Sequence, residues 1–569
     1  MALLDRHAQS RKPIPWAAAG MVCLALATVL SVPAQSNDQP RAQPQYTIRA
    51  RVPLTIVDVV VTDATGHPVH GLKQSNFTIL EDNQPVTPNS FEENTSDEAS
   101  AAATPTQPLP PNTFSNITPA PPKSGPINIL LIDNLNTPTQ AQQRVQIQML
   151  AFIKRMTPGT RMAVLGLNMH LFIVQGITSD PELLKTAVAS IKNIAPAPPM
   201  QDPGQDPAAL DMAAPPIHTA VGACLDEVNG SLMAARAEYT LAAMFHIARY
   251  LAGMPGRKNL IWFGGSFPPK WDTTSGNCYD DTDALNTATD LLARAHVVLN
   301  PIDARGLQVD NNTNPKLLDE HYNMQLRADQ TGGKAVYTSN DLGGAAEDAI
   351  KSGSNYYTLT YAPPNRPLDS RFRKISIKVD RSGLNLVYRP GYFAIDPRND
   401  PGGKAIEKVS PMQSAMMRGS LEPTQILFKV KVALSSAADA KLSPDNQPDA
   451  KQMHPPYRHF SISYVIDIHG IDFAPSPDGN YRGGFEYGVR VYNVDGDEIV
   501  NSVSKTVNPI LPPAVYKSML NTGANAHQDI DIPATGDYVL RIAVHDLTTD
   551  HVGAIEVPIS SVKPTQPAP

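Results

Sequence analysis

The chain is poor in cysteine, with 3 in 569 residues. So few exclude a disulfide-stapled scaffold, and stability must come from ordinary apolar cores. No run of Lys and Arg is long enough to form a basic footprint, and the formal net charge of −7 is mild for this length. Nucleic acid is therefore not expected as a partner. Catalytic signatures are missing as well. There is no HExxH, GxSxG, Walker loop or CxxC pair, so the chemistries those motifs carry find no support. Cys224 and His218 are close in sequence only, which does not make them a nucleophile and its base. The expectation is a protein that is not an enzyme.

Proline is what the chain has in excess, 54 residues, about twice the usual share. The prolines cluster, and the clusters mark joints between about three domains. At the N-terminus, Arg6, Arg11 and Lys12 precede an apolar run from Trp16 to Val32, and Val32, Pro33 and Ala34 offer a cleavage site before Gln35. The run suits a signal peptide over 1–34 and is short for a membrane crossing. An uncleaved anchor is the alternative, and the membrane would be met only through it. Export to the periplasm, cell surface or medium is expected. There, Cys224 and Cys278 could close a disulfide, although sequence cannot show that they come within range.

The first folded unit is expected over 46–91. Leu54 to Thr62 is rich in β-branched residues, Asp63 to Gly66 forms a turn, and Phe77, Ile79 and Leu80 begin another strand. Between 92 and 126 the composition turns to Ser, Thr, Ala, Asn and Pro. Such a segment buries too little to offset its ordering entropy and is expected to be a linker.

From Ile127 to about Asn355, strands alternate with helices. This predicts an α/β fold, a doubly wound, mostly parallel sheet of six strands. Its first strand, INILLIDN from Ile127, ends on Asp133. A carboxylate at the C-terminal end of such a strand faces a binding crevice. Val145, Met149, Phe152, Ile153 and Met156 share one helical face; Leu318, Tyr322 and Leu326 are assigned to another. Strands are expected at Met162 to Val174 as a pair, Asn259 to Phe263, Val297 to Ile302 and Lys334 to Thr338.

Together, the strand ending on Asp133, the long helix carrying Thr240, GRKNLIWFGG from Gly256 and TGGKAVY from Thr331 resemble a von Willebrand factor type A domain. VVVTDATGHPVHGL from Val59, NFTILEDNQPV from Asn76, SNYYTLTYAPPN from Ser354 and RPGYFA from Arg389 extend the likeness to the VWFA-related group described from Acidobacteria. The resemblance covers about Tyr46 to Ala394, placing an A-like domain with trailing strands over 127–394. It implies metal-dependent adhesion, in which an Asp-x-Ser-x-Ser loop, a Thr and a second Asp hold one Mg²⁺. Here Asp133 and Thr137 match the first loop, Leu135 replaces its middle Ser, Thr240 matches the Thr, and Phe263, Gly264 and Gly265 stand where the second Asp is wanted. One carboxylate with two hydroxyls is a thin shell for Mg²⁺, so the resemblance implies a degenerate site with weak binding or none.

Plainer alternatives stand beside each of these. Asp133 would cap the loop or helix after it, and Thr240 would be one more residue of a helix's first turn. Gly264 and Gly265 would permit a tight strand exit with positive φ, or the approach of a partner's backbone. Asp303 could supply the missing charge, or pair with Arg305. Tyr356, Tyr357 and Tyr361 could stack on a sugar, or pack half-buried against neighbouring strands.

The region 421–562 shows strands without helices: Phe485, Tyr487, Val489 and Val491 alternate, Asp495 and Gly496 turn, and Tyr538, Leu540, Ile542 and Val544 alternate again. A β-sandwich resembling an immunoglobulin-like fold is expected. The whole points to an exported binding or scaffolding protein whose unknown protein ligand meets the loops around Asp133, Thr137, Thr240 and Gly265. Its rivals are a structural envelope component with the A-like domain docked on its own neighbours, signalled by an apolar loop face at Leu135, and a hydrolase in which Asp133 and Asp303 converge.

Overall fold

The computed structural model describes residues 54–95, 109–117, 126–191, 235–254, 256–265, 282–307, 315–364, 368–369, 371–394, 410–418, 420–494 and 499–563. The apolar run Trp16 to Val32, Cys224, Cys278 and the turn at Asp495 and Gly496 lie outside them. The described residues fall within one compact unit, Val52–Pro569. None of its described helices is long and apolar enough to cross a membrane.

Strands β1 (Thr55–Thr62), β2 (Phe77–Glu81), β3 (Gln84–Val86) and β4 (Ser90–Asn94) open the chain, and β5 (Thr113–Ser115) follows. The last two correct the expected linker over 92–126: β4 runs into it and β5 lies inside it. Composition missed them because each is held by a strand more than two hundred residues away.

The α/β region contains β6 (Ile127–Asp133), α1 (Thr139–Arg155), β7 (Met162–Leu167), β8 (Leu171–Thr178) and α2 (Pro181–Ser190). Then come α3 over 235–252, β9 (Lys258–Gly264), α4 (Thr282–Arg294), β10 (Val297–Asp303), α5 (Pro315–Thr331) and α6 (Leu342–Gly353). The sheet order is β10-β9-β6-β7-β8. All neighbours are parallel except β8, which is antiparallel to β7. Strand alternation sends Ile129 and Leu131 to the face covered by α3, α4 and α5, and Leu130 and Ile132 to the face covered by α1, α2 and α6. Near-continuous apolar strands are what two covered faces require.

Three details differ from the sequence expectation. The sixth strand, Lys334 to Thr338, reduces to a single bridge between Ile302 and Val336; Lys334 N–H bonds the Asn300 side chain instead of a ladder partner. On α5 the buried residues include Leu317, Glu320, His321, Met324 and Ala328, while Leu318 and Tyr322 are exposed. Helix α6 was not anticipated. It carries two glycines, Gly343 and Gly344, in its first turn and is capped by the Asp341 carboxylate accepting from Gly344 N–H at 2.8 Å, a local bond that outweighs poor propensity.

Strands β11 (Tyr356–Tyr361), β12 (Phe372–Val379), β13 (Asn385–Val387) and β14 (Gly391–Phe393) return the chain to its beginning. They form the sheets β13-β1-β11-β4 and β14-β12-β2-β3, packed over Val57, Phe77, Ile79, Tyr361 and Ile377. The trailing strands therefore complete the N-terminal module, and the α/β region is an insertion within it. A few strands alone could not bury a core. Tyr356, Tyr357 and Tyr361 are buried here at 7, 2 and 0 % exposure, which closes the sugar-stacking alternative. Outward from β1, Asp58 faces His296 at 3.6 Å, and the Arg257 guanidinium lies over the Tyr356 ring at 5.3 Å. Both Arg257 and His296 precede strands β9 and β10, so the module docks beneath the N-terminal ends of the parallel sheet.

The C-terminal part holds α7 (Pro411–Ala415), β15 (Phe428–Asp439), β16 (Tyr457–Ile466), β17 (Ala474–Pro475), β18 (Tyr481–Arg482), β19 (Phe485–Asn493) and β20 (Ile499–Val507). It ends with β21 (Ile510–Leu511), α8 (Pro513–Thr522), β22 (Ala524–Pro533), β23 (Tyr538–Asp546) and β24 (Val552–Pro558). Sheets β22-β16-β15-β5 and β20-β19-β23-β24 share a core that includes Val430, Tyr464, Val489 and Ile542. Helix α8 corrects the expectation of strands alone; Pro513 starts it and Gly523, at φ +77°, ends it. The sandwich docks on α3 through Thr424, whose hydroxyl donates to Tyr250 C=O at 2.7 Å, and through Ser414, 2.8 Å from His246 Nε2. That is why α3 is apolar nearly all round: it is covered on two sides.

Candidate functional site

Asp133 is the last residue of β6, and odd-numbered side chains of that strand point toward α3. The carboxylate thus lies under the helix that carries Thr240. It is 1 % exposed. Oδ1 accepts from Asn136 N–H at 2.9 Å; Oδ2 accepts from the Asn136 side-chain amide at 2.9 Å and from Trp262 Nε1–H at 3.0 Å. The bond to Asn136 N–H is a local capping contact, in which a carboxylate three residues back satisfies a backbone donor as the chain leaves the strand. The loop is fixed further by Asn134 and Leu135 N–H, which both bond Leu167 C=O. Gln142 adds its amide to Asn134 and Thr137 C=O.

Thr240 lies within α3 and not at its first described turn. Its hydroxyl donates to Arg236 C=O at 2.7 Å and accepts from the Asn136 amide at 2.9 Å. Asn136 Nδ2 therefore stands between Asp133 Oδ2 and Thr240 Oγ1. Thr137 bonds a different group; its hydroxyl oxygen accepts from Gly265 N–H at 2.9 Å. Gly264 and Gly265 do not take positive φ. Gly265 is needed because a Cβ there would meet Pro138 Cδ at 2.7 Å and Asn136 C=O at 2.8 Å. The backbone that approaches is the chain's own.

Burial pushes the Asp133 carboxyl up to about 6, against the lowering pull of the Asn136 and Trp262 hydrogen bonds. Arg236 senses its charge through space. As arranged, these residues do not fit Mg²⁺. The Asn136 amide hydrogens fill the space between Asp133 Oδ2 and Thr240 Oγ1, the Thr137 hydroxyl already accepts from Gly265 N–H, and Leu135 is buried in the apolar core under α3, too few free oxygens for the six that Mg²⁺ demands. Among the described residues no three His, Cys, Asp or Glu side chains are placed to share a metal. Leu135 does not make an apolar loop face.

Asp303, at the end of β10, belongs to a different cluster. Arg305 Nη2 reaches it at 2.9 Å, Arg305 Nη1 reaches Glu320 at 2.8 Å, and His321 Nε2 lies 3.1 Å from it. His321 stacks on Tyr337 with centroids 4.4 Å apart. Burial would raise the Asp303 carboxyl, but His321 and Arg305 outweigh it and hold it below the ordinary range. Asp303 pairs with Arg305 and lends nothing to Asp133. Strand β9 lies between β6 and β10, so the two carboxylates stand about 10 Å apart by strand spacing.

Sequence reasoning missed Asn136 and Trp262. Asn136, three residues after a strand-ending Asp, carried a usable signal, that of a backbone N–H within reach of a capping carboxylate. Trp262 carried one only if its strand is placed beside β6. A Ser/His/Asp convergence also went unnoticed in the C-terminal sandwich: Ser443 Oγ lies 3.4 Å from His459 Nδ1, which is 2.7 Å from Asp531. It does not suit nucleophilic catalysis. Ser443 gives its proton to Asp531 at 2.8 Å, and His459 is bracketed by Asp531 and Asp439. Burial lowers the imidazole, but those carboxylates outweigh it and raise it, which leaves it a poor base.

No family model matches the chain, and no curated protein matches it. Solved structures similar to it include von Willebrand factor A domains. One is the von Willebrand factor type A structure from Catenulispora acidiphila, at 12 % identity over 54 % of this chain and 74 % of that one, TM-score 0.25. Another is the vWF domain of the type V pili tip protein Mfa5 from Porphyromonas gingivalis, at 10 % identity over 40 % and 95 %, TM-score 0.24. A third is an aerotolerance-related membrane protein from Bacteroides fragilis NCTC 9343, at 14 % identity over 40 % and 98 %, TM-score 0.24. Likenesses this slight carry no ligand or partner across.

Proposed function

We propose that the chain is an exported, non-enzymatic protein-binding scaffold. Its doubly wound A-like region meets a protein ligand at the C-terminal ends of its strands without a metal. The observation that carries this is the Asn136 amide between Asp133 and Thr240. A loop closed by its own hydrogen bonds keeps a fixed shape, and a fixed shape favours recognition because little ordering entropy is lost on binding. Docking of the N-terminal module beneath the opposite ends supports the same assignment: it holds the region from below and leaves its partner-facing side to the loops.

A structural envelope role has a specific observation in its favour too. The base of the α/β region and helix α3 are already bound by the chain's own modules. Photo-crosslinking separates the two. Met169 is 52 % exposed on the turn after β7, next to the Leu167 carbonyl that anchors the Asp133 loop. A crosslinker at Met169 in the full chain is expected to capture a discrete protein, while one at Leu434 on the C-terminal sandwich does not. Equal capture at both positions, or none at Met169, would leave the envelope role. Calorimetry with Mg²⁺ and Mn²⁺, using Asp133→Ala as control, checks the metal-free part: saturable micromolar binding abolished by the substitution would overturn it.

A further inference from the structure

Strand β5 comes from a stretch otherwise rich in proline, with Pro105, Pro108, Pro110 and Pro111 before it and Pro119, Pro121, Pro122 and Pro126 after it. It is nonetheless read closely. Thr113, Phe114 and Ser115 pair antiparallel with Lys431, Val430 and Lys429 at the edge of β15. The Phe114 ring packs on the sandwich core. Ser115 Oγ donates to Phe428 C=O at 2.8 Å. Asn116 is 5 % exposed; its amide donates to Pro423 C=O at 3.1 Å and Ile426 C=O at 2.8 Å, and its oxygen accepts from Phe428 N–H at 2.8 Å. Asn112 exchanges two 2.8 Å bonds with the Lys563 backbone. Gly553 lies beside Asn116, where a Cβ would clash with Ile426 C=O and meet the Asn116 amide at 2.9 Å.

This is a peptide lying in a groove. Backbone pairing supplies affinity, while an aromatic side chain and a buried Asn supply sequence recognition, the pattern of strand addition to a sheet edge. Every group that reads 112–117 lies hundreds of residues away in the chain, so nothing in the recognition requires segment and groove to belong to one molecule. We infer that the groove is a strand-accepting site filled in cis by 112–117, and that its partner in trans is the same segment of a second copy, exchanged reciprocally. All contacts are then kept, and only association entropy opposes the exchange. Membership of one chain sets the balance: it gives a cis segment an effective concentration of about millimolar, so exchange grows as the protein approaches that concentration.

Two measurements test this on the full chain. In sedimentation velocity from about 10 μM to about 1 mM, the wild type is expected to pass from monomer to dimer. Free Pro111–Thr118 peptide in excess should return it to monomer. A monomer throughout, or a dimer indifferent to the peptide, overturns the second copy as occupant. In fluorescence anisotropy, a labelled Pro111–Thr118 peptide is expected to bind the groove opened by Phe114→Gly with Asn116→Ala, and to bind wild type about tenfold more weakly because the cis segment competes. A peptide with Asn116→Ala should lose about a hundredfold, having given up three buried hydrogen bonds. Equal binding of both peptides, or no binding, overturns sequence recognition. The sedimentation arm needs no variant, so a poorly folding double substitution cannot obscure the result.

Discussion

Asp133 and Asp303 end two strands of one sheet and are equally buried at 1 % exposure, yet their electrostatics run in opposite directions. Around Asp133 the donors are neutral: a backbone N–H, an amide and an indole. Burial dominates and the carboxyl is pushed up. Around Asp303 a guanidinium and an imidazole donate, and they outweigh burial. Position on the sheet sets how much water a carboxylate loses; its neighbours decide whether it keeps its charge. A neutral pocket suits a loop that must hold its shape, and an ion cluster suits a joint that ties β10 to α5.

Breaking the ion cluster should have the larger effect. Asp303→Ala leaves Arg305 and Glu320 with a damaged network inside the protein, and removing one partner of a buried pair costs about 3–5 kcal/mol. Hydrogen exchange of the β10 amides, with urea titration of the full chain, measures it. A loss under about 1 kcal/mol, the range of an exposed pair, would mean that the cluster is wet and weakly coupled.

Acid and base should separate the two carboxylates by sign. The Asp133 value in the fold, about 6, is raised above the ordinary 3.8. Its stability contribution is therefore complete below about pH 4 and is lost as pH rises through 6, by about 3 kcal/mol in all. Asp303 is lowered, so its contribution is present above its ordinary value and lost as pH falls. Comparing wild type with Asp133→Asn from pH 3 to 8, the wild type should lose ground to the variant between about pH 4 and 6. A flat difference would show that Asp133 is well solvated. Trp262→Phe sharpens the point at lower cost: it removes the indole donor, should destabilise by about 1–2 kcal/mol, and should move the same pH transition upward.

How much of this was legible depended on the range of the interactions. Alternation along β6 placed Asp133 at a strand end, because side-chain direction in a strand is local. The pairing of Asp303 with Arg305 was visible for the same reason, two residues apart. The sharing of Asn136 between Asp133 and Thr240 was not, since Thr240 arrives on α3 more than a hundred residues later. The assignment of Tyr356 to Phe393 failed similarly. Strand patterning there was clear, but which sheet the strands join is set by β1 and β2 at the other end of the insertion. Helix α5 failed on a finer point: Leu318 and Tyr322 are apolar and periodic, yet the buried stripe runs through polar residues, Glu320 and His321, that belong to the Asp303 cluster.

The smallest effect should come from Thr240→Val, and it tests the neutral pocket most directly. Valine keeps the β-branched shape and removes only the hydroxyl. The Asn136 amide loses one acceptor but keeps Asp133 Oδ2 at 2.9 Å, and the Arg236 carbonyl loses a back-bond that an α-helix does not need. One buried hydrogen bond is worth about 1 kcal/mol net, so thermal or urea unfolding should shift by that amount or less. The Asp133 pH transition should stay where it is, because Thr240 does not touch the carboxylate. If instead Thr240→Val costs as much as Asp303→Ala, the hydroxyl must organise a polar network well beyond Asn136, and the contrast between the two strand ends would have to be redrawn around Thr240.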